Sequence, residues 1–207
     1  MEVAKAKQNM DLPDNDLRST DNGCPLTDGV IDCYLFKTYG NSVEKVTLIL
    51  TTLAFFNMQD RLKGVYSKCY WDVDNQFATY RQILIPVHIE SLQHWILVRV
   101  SNFLEPTCLI QVYDPMNAPG LFDEVDLIHK YFKRSIANSE HYGSTQEVDI
   151  QCRKDIPQQS KGSQDCGVYV LHYIEHLRFS ESGDCPIPDF NVKRYRDKIK
   201  EKLWYLT

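Results

Sequence analysis

The chain has 207 residues and a mass of 24.1 kDa, enough for one domain with a sizeable core. At 43% hydrophobic and 25% charged residues it has the composition of an ordinary globular protein, which sets aside the disordered and fibrous classes. With 23 Lys and Arg against 28 Asp and Glu the formal charge is −5. That gives no basic footprint for nucleic acid and, if anything, suits a protein partner with a basic surface.

Residues 1–23 are polar and nearly free of apolar periodicity, and they predict a mobile lead-in rather than a signal peptide. Val30, Ile31, Tyr34 and Leu35 recur at helical spacing, with Gly40 to end the helix. Val46, Ile49, Leu50 and Leu53 predict a second helical face ending near Phe56. Three runs rich in β-branched and aromatic residues follow, 83–88, 95–100 and 109–113, separated by polar turns, and they predict strands. Residues 121–132 read as a helix, and Val148, Ile150 and Cys152 alternate as a fourth strand. Two helical stripes close the chain, one from Gly167 to Leu177 and one through Val192, Tyr195, Ile199 and Leu203. This order predicts an α+β fold with a sheet between helical layers. The longest apolar run, Leu48 to Phe56, is too short to span a bilayer.

Seven cysteines are present, an odd number, and none stands in a CxxC pair. Without a secretory leader, reduced thiols in a nuclear or cytoplasmic protein are expected. One of them, Cys166, lies between a polar Gln- and Gly-bearing loop and the start of a predicted helix. A helix N-terminus and a nearby imidazolium both favour a thiolate. His94 precedes one predicted strand and Asp114 follows the next. If those strands pair antiparallel across a short connection, the two residues meet at one sheet edge. His94 is then the general base and acid, Asp114 its orienting group, and Cys166 the nucleophile. The Cys166 backbone N–H and a glutamine amide are natural donors to an oxyanion, with Gln159 preferred over Gln158 and Gln164. Gly167 leaves room for a substrate carbonyl to approach the backbone. Each residue type alone has a plain structural explanation: a packed thiol, a surface imidazole, a turn carboxylate. Their order and context together point to a thiol hydrolase.

His172-Tyr173-Ile174-Glu175-His176 also matches the H-x-x-E-H pattern of inverted zinc proteases. The two histidines share a helix face, but a further ligand must come from the few acids after it, so no metal site and no cofactor are expected.

Several of these segments resemble the Ulp1/SENP-type cysteine proteases, the ubiquitin-like-protein-specific peptidases related to adenovirus protease. Leu26-Thr27-Asp28-Gly29-Val30-Ile31 resembles that family's W-L-N/S-D-x-x-I motif, and Phe55-Phe56 its aromatic pair. Ile85-Pro86-Val87-His88 followed by His94-Trp95 resembles its I-P-x-H…H-W segment, Tyr113-Asp114 its Y-D-S segment, and Gln158 to Gly167 its Gln- and Cys-bearing loop. The resemblance implies a papain-like (adenain-like) α+β fold with a central mixed sheet, a catalytic domain over 24–207, and a His94–Asp114–Cys166 triad. It implies that Trp95 covers a narrow tunnel for a Gly-Gly tail, with Asp28 and Gly167 at the substrate. The implied activity is cleavage after Gly-Gly of SUMO or a related modifier, both in precursors and in lysine conjugates, by a monomer that binds neither nucleic acid nor membrane. Ubiquitin or a Nedd8-like protein is the rival substrate, and a non-catalytic modifier-binding domain the rival class. Pro25 stands where the family has the tunnel's other tryptophan, which leaves half of the aromatic clamp open. The loop from Gln159 to Cys166 is one residue longer than in most SUMO proteases.

Overall fold

The computed structural model describes residues 12–40, 46–65, 79–138, 147–180 and 186–204. In chain order the elements are α1 (Asp14–Arg18), α2 (Asp28–Tyr39), β1 (Thr47–Ile49), α3 (Ala54–Leu62), β2 (Gln82–Ile89), β3 (His94–Ser101), β4 (Thr107–Tyr113), α4 (Asp123–Ala137), β5 (Glu147–Arg153), α5 (Cys166–Leu177) and α6 (Val192–Trp204). The strands form one mixed sheet in the order β1-β2-β3-β4-β5 among the described residues, parallel at its two outer pairs and antiparallel at its two inner ones. Alternation along the strands then sends side chains to two cores. Leu84, Trp95, Leu97 and Tyr113 face α2, α5 and α6. Ile83, Ile85, Ile96, Val98 and Val112 face α3 and α4. The expected α+β architecture, a central mixed sheet between helical layers, is what the chain adopts.

Pro86 sits inside β2 without breaking it. β1 pairs only with Gln82 to Leu84, and the Leu84 carbonyl on that side accepts the Leu50 N–H. Two residues on, Pro86 points to the same side, beyond the end of β1, where no ladder calls for a donor.

Two expectations are corrected. The helical face predicted from Val46 to Phe56 is a short strand, a turn and the start of α3. Thr51 and Thr52 make the turn, and the Asp32 carboxylate on α2 holds it by accepting the Thr52 N–H at 2.8 Å and hydroxyl at 2.9 Å. Three strand residues are too few to outweigh a chance helical spacing in the sequence. The segment 12–23, expected to belong to a mobile lead-in, is packed. It forms α1, buries Ser19 and Thr20, and brings the Asp16 carboxylate against Gly29, where a Cβ would lie 2.8 Å from it. Residues 1–11 of that lead-in lie outside the described residues.

α5 is buried along nearly its whole length, so both of its ends need internal partners. At its C-terminus the Gln82 side-chain amide donates to the Leu177 carbonyl at 2.7 Å, and the Thr47 hydroxyl donates to that of Arg178 at 2.6 Å. Gln82 and Gln111 in turn accept from the buried Arg99 guanidinium at 2.5 and 2.7 Å. A cation at a helix C-terminus is the favourable polarity.

Burial pushes the Asp32 carboxyl up to about 6, against the two Thr52 hydrogen bonds. A folded-state value above the unfolded 3.8 means a stability contribution that is present below that pH and lost as pH rises through about 6. Asp32→Asn keeps both Thr52 contacts without the buried charge. In urea unfolding it should gain on the wild type as pH goes from 4 to 7.5; a difference that does not vary with pH would contradict a buried, ionising Asp32.

Candidate active site

β3 and β4 pair antiparallel with Leu97 opposite Tyr113, so the start of one strand lies beside the end of the other. His94 opens β3 after a left-handed residue, Gln93, with φ 49°. Asp114 follows β4 directly. Their side chains meet, His94 Nε2 lying 2.7 Å from Asp114 Oδ1. The chain then wraps around that carboxylate. Met116 N–H donates to Oδ1 at 2.8 Å and Ala118 N–H to Oδ2 at 2.7 Å, while Asn117 takes the positive φ that closes the turn. An acid held by three donors keeps one orientation.

Cys166 is the first residue of α5 and is buried. The Asp165 carbonyl starts the helix by accepting the Val168 and Tyr169 N–H groups at 2.8 and 3.1 Å. Cys166 acts on the His94 ring from the start of α5. With Nε2 committed to Asp114, Nδ1 is the ring nitrogen left for the thiol. Burial alone would disfavour the imidazolium, but the Asp114 hydrogen bond, the Cys166 hydrogen bond and the charges of both partners outweigh it and push His94 up to about 9. Asp114 goes the other way. Burial is overcome by the hydrogen bonds from His94, Met116 and Ala118, which hold its carboxyl below the usual range. The Cys166 thiol stands at the positive end of the α5 dipole.

Trp95, the next residue, turns to the opposite face of the sheet. Its indole N–H donates to the Leu26 carbonyl at 3.0 Å, and the His88 ring lies 4.7 Å from it across β2–β3. A half-open groove of about 740 Å³ runs past it, walled by Pro25, Leu26, Phe55, Phe56, His88 and Trp95 and rimmed by the carboxylates of Asp28, Glu90, Asp123 and Glu124. Neither Cys166 nor Gly167 lines this groove; it approaches the Cys–His pair through Gln93 and Trp95, the chain neighbours of His94. Pro25 is exposed on its wall, and Asp28 is exposed on its rim with the Gly29 N–H donating to its side chain at 2.9 Å.

Other expected positions look different in space. Gly167 does not face open room for a carbonyl. A Cβ there would stand 3.0 Å from Leu26 Cβ, so its missing side chain admits Leu26. The Gln159 backbone N–H donates to the Pro115 carbonyl at 2.9 Å, which ties it to the Asp114 turn. Its side-chain amide donates to the Ser163 carbonyl within the same loop at 3.1 Å. Gln158 bonds its own loop through Ile156, and Gln164 is exposed two residues before α5. In the H-x-x-E-H segment, His172 Nε2 donates to the Pro188 carbonyl at 2.9 Å, and Glu175 accepts from Tyr195 and Lys198. Among the described residues no three His, Cys, Asp or Glu gather as metal ligands, and no helix is long and apolar enough to cross a membrane. Of the remaining cysteines, burial raises the thiols of Cys33 and Cys108, the latter to about 12, which makes them packing groups. Cys24 is half-buried and Cys152 exposed; Cys69 and Cys185 lie outside the described residues. The sequence did not single out Arg196 and Asp165, whose ion pair borders Cys166. An arginine on an otherwise amphipathic helix carries no local sign that it is buried.

A Cys–His–Asp set, with the thiol at the start of the central helix and the His–Asp pair on an antiparallel edge, is the arrangement of the papain-like cysteine peptidases. Residues 26–203 match the Ulp1 protease family, C-terminal catalytic domain, and the chain belongs to that family. It is 29% identical over 189 residues to sentrin-specific protease 5 of Mus musculus and, equally, to that of Homo sapiens, covering 91% of this chain but 24% and 23% of those proteins. The chain thus spans about a quarter of the length of the curated relatives it matches. Among solved structures, Ulp1 in complex with SMT3, the yeast ortholog of SUMO, superposes with a TM-score of 0.67 at 20% identity, over 96% of this chain and 85% of that one. Xanthomonas campestris XopD bound to ubiquitin superposes at 0.59 and 16% identity, over 97% and 98%. At those identities the two structures speak to the fold.

Because Cys166 contributes to raising His94, Cys166→Ala should move the His94 imidazole pKa down from about 9 in an NMR titration. In the wild type the imidazolium should persist below that value and be lost above it. An unchanged His94 titration in the variant would rule out a Cys166 contribution to the raised value.

Proposed function

We propose that this domain is a thiol peptidase that cleaves after the C-terminal Gly-Gly of SUMO or a related ubiquitin-like modifier, in precursors and in lysine conjugates. The observation that carries the proposal is the bonded His94–Asp114 pair with Cys166 at the start of α5, beside a groove walled by Trp95. It is further supported by membership of the Ulp1 family and by likeness to proteases named for sentrin.

The Cys166 thiolate attacks the carbonyl carbon of the last glycine, and the electron pair moves to oxygen. The Cys166 backbone N–H and the Gln159 amide, once turned from Ser163, donate to that oxyanion. Collapse expels the lysine amine, which takes its proton from the His94 imidazolium, and leaves a thioester. Water then attacks, His94 removes its proton, and the modifier leaves as a carboxylate with the thiolate restored. A tunnel selects glycine by excluding anything larger, and Trp95 is its rigid wall. The acidic groove rim and the net charge of −5 suit a modifier with basic residues near its tail. A neighbour bound to ubiquitin makes ubiquitin the second modifier to try.

The direct test is a panel of SUMO, ubiquitin and Nedd8-like modifiers carrying C-terminal electrophiles. The SUMO probe should attach to Cys166 and fail to attach in Cys166→Ala. Labelling by none of the panel, or labelling that survives the substitution, would refute the proposal.

His94→Ala should lower kcat/KM by roughly 10²- to 10⁴-fold, the range for losing a general base. Asp114→Asn should cost less, and the double variant should be little worse than His94→Ala, because the two act as a unit. Fully additive losses would argue against a shared relay.

Pro25 is smaller than an indole, so the tunnel should tolerate Gly→Ala in the last two substrate positions more than one with two tryptophans, and Pro25→Trp should tighten it. Trp95→Ala should damage cleavage far more than Pro25→Ala. Matched Gly-Gly and Gly-Ala tails measure this; strong rejection of Gly-Ala by the wild type would place the second wall elsewhere.

A further inference from the structure

Arg196, on α6, is about as buried as a side chain can be, at 1% exposure. An arginine is buried at a large desolvation cost unless all its donors are used. Here Nε and Nη2 both donate to Asp165 Oδ1, at 3.0 and 2.7 Å. Nη1 donates to the carbonyls of Ser19 and Asp21 at 3.2 and 3.0 Å. Nη2 also donates to that of Cys24 at 2.7 Å, with the Gln164 carbonyl at 3.5 Å. One guanidinium therefore holds two strips of chain together. One strip is the segment before α2; the other ends at the residue preceding Cys166.

Both strips lead to the site. Asp165 makes no side-chain cap for its own helix; its carboxylate goes to Arg196, while its carbonyl begins the α5 ladder on which Cys166 stands. Two residues after Cys24, the Leu26 carbonyl accepts the Trp95 indole N–H, and the Leu26 side chain fills the space left at Gly167. We infer that Arg196 is a positioning residue for the peptidase site. It sets the Leu26–Trp95 groove wall in register with the Cys166 helix start, so that the substrate tail and the nucleophile are placed by one buried cation. Resting on the peptidase activity proposed above, this goes further in naming a residue that touches neither tail nor thiol yet governs both KM and kcat. Lysine cannot replace it, because a single ammonium cannot span a carboxylate and four carbonyls.

The test uses the full chain with a fluorogenic amide of the SUMO C-terminus. Rates are normalised to the fraction of molecules titrated by an electrophilic SUMO probe, so that unfolded protein does not count as slow enzyme. Arg196→Lys should keep the Asp165 pair but release the carbonyls. It should raise KM by roughly 10-fold, the loss of one or two charge-assisted hydrogen bonds, and speed amide exchange in residues 19–26. Asp165→Asn should keep the carbonyl bonds and lower kcat by a similar factor with KM nearly unchanged. Lys200→Ala removes an exposed ion pair to Asp21 on the same face and should leave both constants at the wild-type level. If Arg196→Lys does not fold, the kcat effect of Asp165→Asn decides alone. Normalised constants within twofold of the wild type in the folded variants would reduce Arg196 to a purely structural role and overturn the inference. If the wild type turns over no SUMO substrate, the proposed function fails separately. The positioning role is then decided by iodoacetamide alkylation of Cys166, slowed several-fold by Asp165→Asn if the Arg196–Asp165 pair places the thiol and unchanged if it does not.

Discussion

The structure depends on how one buried helix is terminated. α5 is enclosed by the sheet, α2 and α6, so neither end can turn to water for its unpaired backbone groups. The C-terminal end is met by a ladder of polar side chains on the sheet: Thr47, Gln82, Arg99 and Gln111. At the N-terminal end the Asp165 carbonyl starts the ladder, and the positive end of the helix dipole lies at the Cys166 thiol. A helix with an exposed side could settle these ends with solvent and fray. This one cannot, and Cys166 inherits the rigidity.

The sequence displays that arrangement unevenly. The runs 83–88, 95–100 and 109–113 are legible because β-branched residues on a buried sheet leave a compositional mark. The meeting of His94 with Asp114 is legible because a short antiparallel connection leaves little choice of neighbour. β1 is not legible: three residues fall inside the window of a longer chance periodicity, and the Asp32–Thr52 contact that fixes the turn after it joins positions 20 apart. The packing of residues 12–24 is hidden for a different reason. Its link to Arg196 on α6 runs through main-chain carbonyls, which every residue type possesses, so no side chain in that segment announces the bond. Gly167 is legible as a place of close approach but not as to what approaches. Only the fold brings Leu26 there.

Leu26 links the two halves of the site. Its carbonyl fixes the Trp95 indole, a groove-wall residue with 4% exposure, and its side chain rests on the first turn of α5. A tryptophan satisfied at its polar end keeps its face oriented, so this stretch of the groove wall has one orientation. The exposed aromatic Phe56 across the groove has no polar end to tether. The two walls therefore differ in kind: one tied to α5 through Leu26, the other an exposed ring without a polar tether.

The same logic governs the proton. Asp114 accepts from two backbone N–H groups as well as from His94, and these donors remain whether or not the imidazole is charged. Its carboxyl is thereby held low enough that it does not compete with His94 for a proton. The Cys166 partner favours the charged ring from the other side. With His94 raised and Asp114 lowered, the proton is favoured on the imidazole rather than on the carboxylate. An acid with only one donor would leave the proton's place to the substrate. Here it is decided by the turn 114–118, closed at Asn117 by a left-handed backbone conformation that lets both N–H groups point inward.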